Sequence, residues 1–187
     1  LTAAATGILV SASTAAAQGS MRRSIAALLF VLSTAAPLAA HAAGSGQPVP
    51  RFVSLRSDEV NLRTGPGERY PVEWVVSKKG LPVEVIAEFD TWRRVRDWEG
   101  IEGWVHQALL TRRRSLVVTG KEDQPIYNEP GEGSGLMAKA EPGVIGSLLR
   151  CPGDGAQADW CYVDLKGYRG WMRRASFWGA YPGEKVE

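Results

Sequence analysis

Val60-Asn61-Leu62-Arg63-Thr64-Gly65-Pro66-Gly67 decides how this chain is read, together with the segment that answers it, Gly103-Trp104-Val105-His106-Gln107-Ala108-Leu109-Leu110. Leu62 lies in an extended run, and Gly65-Pro66-Gly67 reads as a tight turn, because proline sets its own φ and the flanking glycines accept dihedrals that other residues resist. In the second segment the two-residue period puts Trp104 and Val105 on opposite faces of a strand, which then enters a short turn over His106 to Leu110. Between the two, Val83-Glu84-Val85-Ile86, the turn Asp90-Thr91 and Trp92-Arg93-Arg94-Val95-Arg96-Asp97 read as two antiparallel strands joined by a hairpin.

The opening Asn61-Leu62-Arg63-Thr64-Gly65-Pro66-Gly67, the Trp92-Arg93-Arg94-Val95 strand and the closing Gly103-Trp104-Val105 look like a bacterial SH3-like domain. The runs Arg69 to Trp74, Leu81 to Ile86 and Trp92 to Trp98 are similar to a subgroup of secreted proteins that carry two such domains in tandem. The resemblance covers residues from about 52 to 180 and is stronger in the first copy. It implies a small β-barrel with a ligand groove between the loop after the first strand and the hairpin before the Trp-bearing strand, and it places Tyr70, Trp92 and Trp104 near that groove. Period-2 alternation adds that Trp92 shares the solvated face with Arg94 and Arg96, opposite Val95. Tyr70, Trp92, Arg94 and Trp104 are therefore the groove candidates.

Taken in order, residues 1–20 carry no charge and read as an upstream extension from a start site placed too early. Residues 21–42 read as a secretory signal peptide: Met21-Arg22-Arg23, an apolar run from Ile25 to Ala36, the break at Pro37, then Ala40-His41-Ala42, with cleavage between Ala42 and Ala43. The apolar run is shorter than the roughly 20 residues of a transmembrane helix. Residues 43–51 form a Gly/Pro/Ser linker. The first SH3-like domain spans 52–114 and the second 115–187. In the first, turn signals at Gly65-Pro66-Gly67, Lys79-Gly80, Asp90-Thr91 and Glu99-Gly100 separate five short strands. Val83, Val85, Val95 and Val105 are the expected core. So small a domain buries little surface, so the plain reading of Trp74, Trp92, Trp98 and Trp104 is that they supply much of it. Arg112-Arg113-Arg114 reads as a solvated junction.

The pattern restarts after Ser115, an internal repeat. Pro125 to Gly131 answers the opening loop, Pro142-Gly143-Val144 answers Lys79-Gly80-Leu81, Trp160-Cys161-Tyr162-Val163 answers Trp92-Arg93-Arg94-Val95, and Gly170-Trp171-Met172 answers Gly103-Trp104-Val105. Asn-Leu-Arg has become Ile126-Tyr127-Asn128, a departure that weakens the case for a shared ligand site here. Cys151 and Cys161 flank a short loop on strands that should pair, which favours a disulfide in an oxidising compartment. A redox pair would want Cys-x-x-Cys spacing and a metal site would want further His or Cys partners.

The chain has 22 Lys+Arg and 20 Asp+Glu. Arg22 and Arg23 leave with the leader and no acid does, so the mature protein is neutral and lacks the basic footprint of nucleic-acid binding. No nucleophile elbow or zinc-protease motif is present, and one histidine, His106, remains after the leader. No cofactor, metal site or catalytic residue is assigned. The expected protein is all-β, two tandem SH3-like barrels after a cleaved Sec-type signal peptide, periplasmic or secreted and not an enzyme. Its expected partner is a cell-wall (peptidoglycan) peptide, or, alternatively, an extended segment of a periplasmic protein for which it serves as an adaptor.

Overall fold

A computed structural model describes residues 44–187; the expected leader and its cleavage point between Ala42 and Ala43 lie outside the described residues. The chain runs through β1 (Arg51–Leu55), β2 (Val60–Arg63), β3 (Val72–Val76), β4 (Pro82–Phe89), β5 (Trp92–Arg96), β6 (Glu102–His106), a 3₁₀ turn (Gln107–Leu109) and β7 (Leu110–Thr111). It then repeats as β8 (Ser115–Val118), β9 (Gln124–Tyr127), β10 (Leu136–Ala140), β11 (Ile145–Arg150), a 3₁₀ turn (Gly155–Gln157), β12 (Trp160–Leu165), β13 (Tyr168–Arg173), a 3₁₀ turn (Arg174–Ser176) and β14 (Phe177–Trp178). Among the described residues, no helix is long and apolar enough to cross a membrane.

Two seven-stranded antiparallel sheets result, ordered β3-β2-β6-β5-β4-β1-β7 and β10-β9-β13-β12-β11-β8-β14. The orders are identical, so the sequence repeat is a repeat of topology. Backbone bonds repeat with it: Gly80 N–H to Leu55 O (2.9 Å) and Thr64 N–H to Pro71 O (3.1 Å) are matched by Gly143 to Val118 (2.8 Å) and Asn128 to Gly135 (2.9 Å). Asp90 (φ 51°) and the pair Lys166 and Gly167 (φ 54° and 94°) turn the β4–β5 and β12–β13 hairpins in the left-handed conformations that tight hairpins require.

Two expectations about this architecture change. The run from 52 to 63 is two strands, not one, broken at Ser57 to Glu59, and β7 is added after the 3₁₀ turn, giving seven segments instead of five. The sheets also do not close into barrels. Closure would require the free edge of β3 to meet β7, but β7 offers only two residues, and β3 keeps Val72, Trp74 and Val75 exposed.

Val83, Val85, Val95 and Val105 are buried, as the alternation requires, alongside Val53, Leu55, Val60, Leu62 and Leu81. The tryptophans are not the plug. Trp74 is 49 % exposed, and Trp92, Trp98 and Trp104 are half-buried, Trp98 lying partly against the core. The interior is too narrow for them: at Gly103 a Cβ would lie 2.6 Å from the Cβ of Leu62, so aliphatic side chains already fill the space.

The missing aromatic burial is supplied where the copies meet. Phe52 of β1, 8 % exposed, has its ring 4.7 Å from both Trp178 and Tyr181. The Tyr181 hydroxyl donates to Glu84 (2.7 Å), the Ser54 and Ser115 hydroxyls share a hydrogen bond, and Ile145 packs against the first core. Arg112 and Arg113 are exposed, but Arg114 departs from the solvated-junction reading: it lies over Phe52 and bonds the Glu184 carboxylate (2.6 Å) and Gly179 O (2.7 Å). The stretch from Gly44 to Pro50 also docks, through the Ser45 hydroxyl donating to Glu88 (2.7 Å).

Candidate ligand-binding face

Alternation along three neighbouring strands builds the face. On β5 the buried positions are Arg93 and Val95, which leaves Trp92, Arg94 and Arg96 outward; on β6 Gly103 and Val105 are buried, which leaves Glu102, Trp104 and His106 outward. Antiparallel register then sets Trp92 opposite His106, Arg94 opposite Trp104 and Arg96 opposite Glu102, and β2 sets Arg63 opposite Trp104 from the other side. The indole of Trp104 thus stands between two guanidinium side chains on adjacent strands. Arg94 pairs with Glu102 at 2.8 Å, and Arg63, Glu73, Arg94, Glu102 and Trp104 line a depression of about 200 Å³.

The four groove candidates do not form one cluster. Arg94 and Trp104 share the depression. Trp92 lies one register step away, edge-on to the His106 ring at 5.5 Å. Tyr70 serves the loop. Its ring covers Gly65, where a Cβ would lie 2.5 Å from the ring carbons, and Arg63 holds the loop by donating to Tyr70 O (2.7 Å) and Glu68 O (3.1 Å). Neither Gly65 nor Gly67 has a positive φ, so the loop needs glycine at 65 for room under the ring and not for dihedral freedom. Arg63, Glu73 and Glu102 line the candidate depression, and period-2 reasoning on the Trp-bearing strand alone missed them. The signal for Arg63 was present, as the Arg of the opening motif.

Groups that tempt a catalytic reading are engaged in local structure. His106 Nδ1 accepts from Ala108 N–H (3.3 Å) and caps the 3₁₀ turn. One Asp97 oxygen accepts from the N–H groups of Glu99 (2.9 Å) and Ile101 (2.8 Å), closing the β5–β6 turn. The hydrogen bond and charge of Glu84 raise the pKa of Arg96 against a small opposing effect of burial. Among the described residues, no cluster of three or more His, Cys, Asp or Glu is placed to hold a metal ion.

In the second copy Cys151 and Cys161 form a disulfide, Cα atoms 4.4 Å apart. By register, Cys161 (opposite Met172) takes the place of Arg93 (opposite Val105), Tyr162 that of Arg94, and Tyr127 that of Arg63, one residue off the sequence alignment, which set Asn128 there; Asn128 answers Thr64 instead.

The family profile described as bacterial SH3 domain matches residues 56–111 and 120–179. The chain is 26 % identical over 127 residues to the Bacillus subtilis (strain 168) protein named "Putative N-acetylmuramoyl-L-alanine amidase YrvJ", a match that covers 63 % of this chain and 24 % of that protein. The chain therefore spans about a quarter of that relative's length. Among solved structures, NlpC1 of Trichomonas vaginalis aligns at 13 % identity and a TM-score of 0.30, covering 74 % of this chain and 49 % of that one. NlpC2 of the same organism aligns at 12 % identity and a TM-score of 0.32, covering 72 % and 50 %.

Proposed function

The chain belongs to the bacterial SH3 domain family, and from that premise we propose that it is an exported, non-catalytic binding module that recognises cell-wall peptides. The observation that carries this reading is the depression around Trp104. An indole face flanked by Arg63 and Arg94, with Glu73 and Glu102 on the same rim, presents both signs of charge beside one apolar surface. A short peptide bearing a carboxylate and an ammonium group fits such a surface: its charged ends exchange with the solvent-reaching Arg94–Glu102 pair and its aliphatic side chains cover the ring. Trp92, one register step along the same face, extends the surface a longer peptide would cover. The amidase in the name of the Bacillus relative belongs to a much longer protein, of which the match covers 24 %. On this reading the repeat supplies binding and not the chemistry.

The test is sedimentation of the purified protein with isolated sacculi. Retention in the pellet, reduced at least tenfold by Trp104→Ala and less by Trp92→Ala, is the expected result. Protein that stays in the supernatant would sink the proposal.

A second reading, an adaptor for an extended segment of a periplasmic protein, is favoured by one feature. β3 is an edge strand with Val72, Trp74 and Val75 exposed, and an unpaired edge is a template for an added strand. Failure to sediment with sacculi, combined with crosslinking of a partner through β3, would select it.

A further inference from the structure

Each sheet leaves one full-length strand without a neighbour on its outer side. β3 ends the first sheet and β10 the second, five residues each, whereas β7 and β14 at the opposite ends have two. Exposed apolar side chains line both long edges, Val72, Trp74 and Val75 on β3 and Leu136 and Met137 on β10. Each edge also carries one charged residue, Glu73 on β3 and Lys139 on β10. Both are exposed, and among the described residues neither makes an ion pair. An open edge of this length is a template for another strand.

The two edges are equivalent by register and complementary by side chain. Trp74 stands opposite Leu62 and Ala138 opposite Ile126, both buried, so Trp74 and Ala138 lie on the core side; Val75, opposite Asn61, and Lys139, opposite Pro125, lie on the other. Where its register shifts, each strand has one extra residue, Glu73 in β3 and Met137 in β10. Antiparallel strands bring together side chains that share a face. Setting Trp74 opposite Ala138 therefore fixes the rest: Glu73 meets Lys139, Val75 meets Met137, and all five residues of both strands are used. The acid meets the base, the largest side chain meets a small one, and each extra residue falls against the regular half of the other strand. Pairing like with like does worse. A second β3 on the same centre would set Trp74 against Trp74 and Glu73 against Val75, and a second β10 would set Lys139 against Met137.

We propose that the occupant of these edges is a second molecule of the same chain, with β3 of one pairing antiparallel to β10 of the other. The first sheet of one molecule then continues into the second sheet of its partner. Backbone groups on both open edges gain hydrogen bonds, and the Glu73–Lys139 pair selects the register. Every molecule carries one edge of each kind, so the contact closes when it forms twice between the same two molecules and otherwise propagates as a chain. The pairing does not depend on wall binding, and it fills the edge on which the adaptor reading relies.

The experiment follows the mass of the purified protein by sedimentation equilibrium as its concentration rises to about 1 mM. The expected result is a mass that climbs above the monomer. Glu73→Lys places two cations opposite each other and Lys139→Glu two anions, so each should weaken self-association by roughly tenfold or more. An equimolar mixture of the two variants should regain it, because each then meets its complement at both edges. Recovery on mixing also shows that both variants are folded, and their melting midpoints check this independently. In a mixture of isotopically labelled and unlabelled protein, a carbodiimide should join Glu73 of one chain to Lys139 of the other. A monomer at every concentration, association indifferent to both reversals, or association lost in both folded variants and not regained on mixing would each overturn the proposal.

Discussion

The first copy locks its long hairpin with a buried ion network, whereas the second locks the equivalent hairpin with a covalent bond. In the first, Arg93 is 3 % exposed and donates to the carbonyls of Asp90 (2.7 Å) and Trp92 (2.9 Å), to Gln107 (2.7 Å) and to the Glu88 carboxylate (3.0 Å). In the second, Cys161 occupies that position and is bonded to Cys151. The guanidinium of the second copy comes from Arg174, at the place of Gln107, and it binds the carbonyls of Ala158, Tyr181 and Glu184, so it secures the C-terminal tail. The same sheet order therefore survives a complete exchange of fasteners. What both copies keep is the aliphatic alternation, Val95 and Val105 in one and Val163 and Met172 in the other, all fully buried. Topology follows from that pattern, and the fasteners set only how each copy fails.

The contrast holds only if the copies can be disturbed separately, and the largest expected effect tests the contact that couples them. Phe52→Ala removes the ring between Trp178 and Tyr181 and should cost about 3 to 4 kcal/mol. Denaturant unfolding should split from one transition into two. A single transition in the variant would mean that the copies are coupled by something other than this aromatic cluster.

Next come the fasteners themselves. Reduction of the Cys151–Cys161 bond should destabilise the protein by about 2 to 3 kcal/mol by releasing a short loop in the unfolded chain. Arg93→Met, which leaves Glu88 with Arg51 as its remaining base, should cost about 2 to 3 kcal/mol through lost buried charge pairing. Measured together by urea denaturation, the two losses should add, because they lie in different hairpins. Strong non-additivity would show that the copies share one stability determinant.

Gly65→Ala should cost about 1 to 2 kcal/mol by forcing the Tyr70 ring off the loop. Tyr70→Ser should relieve most of that cost, because the second copy carries Glu129 and Ser134 at the same two places, with the Ser134 hydroxyl donating to Glu129 O (2.7 Å) and Gly131 O (2.8 Å). Tyr70→Ser alone should weaken retention on sacculi if the ring bounds the ligand. A double-mutant cycle on melting temperature reads the coupling. Additive losses would sever the link between the loop glycine and the ring.

The smallest effect is the share of acid sensitivity that Glu88 carries in the first copy. Burial pushes the Glu88 carboxyl upward, but hydrogen bonds from Arg51 and Ser45 outweigh it and hold the pKa at about 2. Since the folded value lies below the unfolded one, this stabilisation is present above the usual glutamate pKa, near 4.3, and is lost as the pH falls toward 2. Allowing for solvent screening, it amounts to about 1 kcal/mol. Glu88→Gln should flatten the stability profile between pH 4.5 and pH 2, and an unchanged acid limb would assign that sensitivity elsewhere.

Much of the strand placement was legible because period-2 alternation has one physical cause: a half-buried sheet sends every second side chain inward. That is enough to identify Val83, Val85, Val95 and Val105, the outward set Trp92, Arg94 and Arg96, and the hairpin at Asp90-Thr91. The disulfide was legible for a related reason, since two cysteines flanking a short loop on paired strands have little choice of partner. The site was only half legible. Alternation along one strand shows which face a residue takes but not which residue of a distant strand stands beside it, so Arg63 next to Trp104 and Tyr127 next to Trp171 needed the register. The sheet edges were not legible at all, because whether seven strands close depends on the length of the last one.

By itself, the sequence determined the all-β class, the twofold repeat, the family resemblance and the inward aliphatic set, since each is a property of local pattern. Only the tertiary structure decided that the sheets stay open, that Trp74, Trp92 and Trp104 stand outside the first core, that Phe52, Trp178 and Tyr181 join the copies, and that equivalent tryptophans sit between arginines in one copy and tyrosines in the other. These depend on which side chains meet across strands and between copies, and such meetings are set by register and packing over separations that no local pattern encodes.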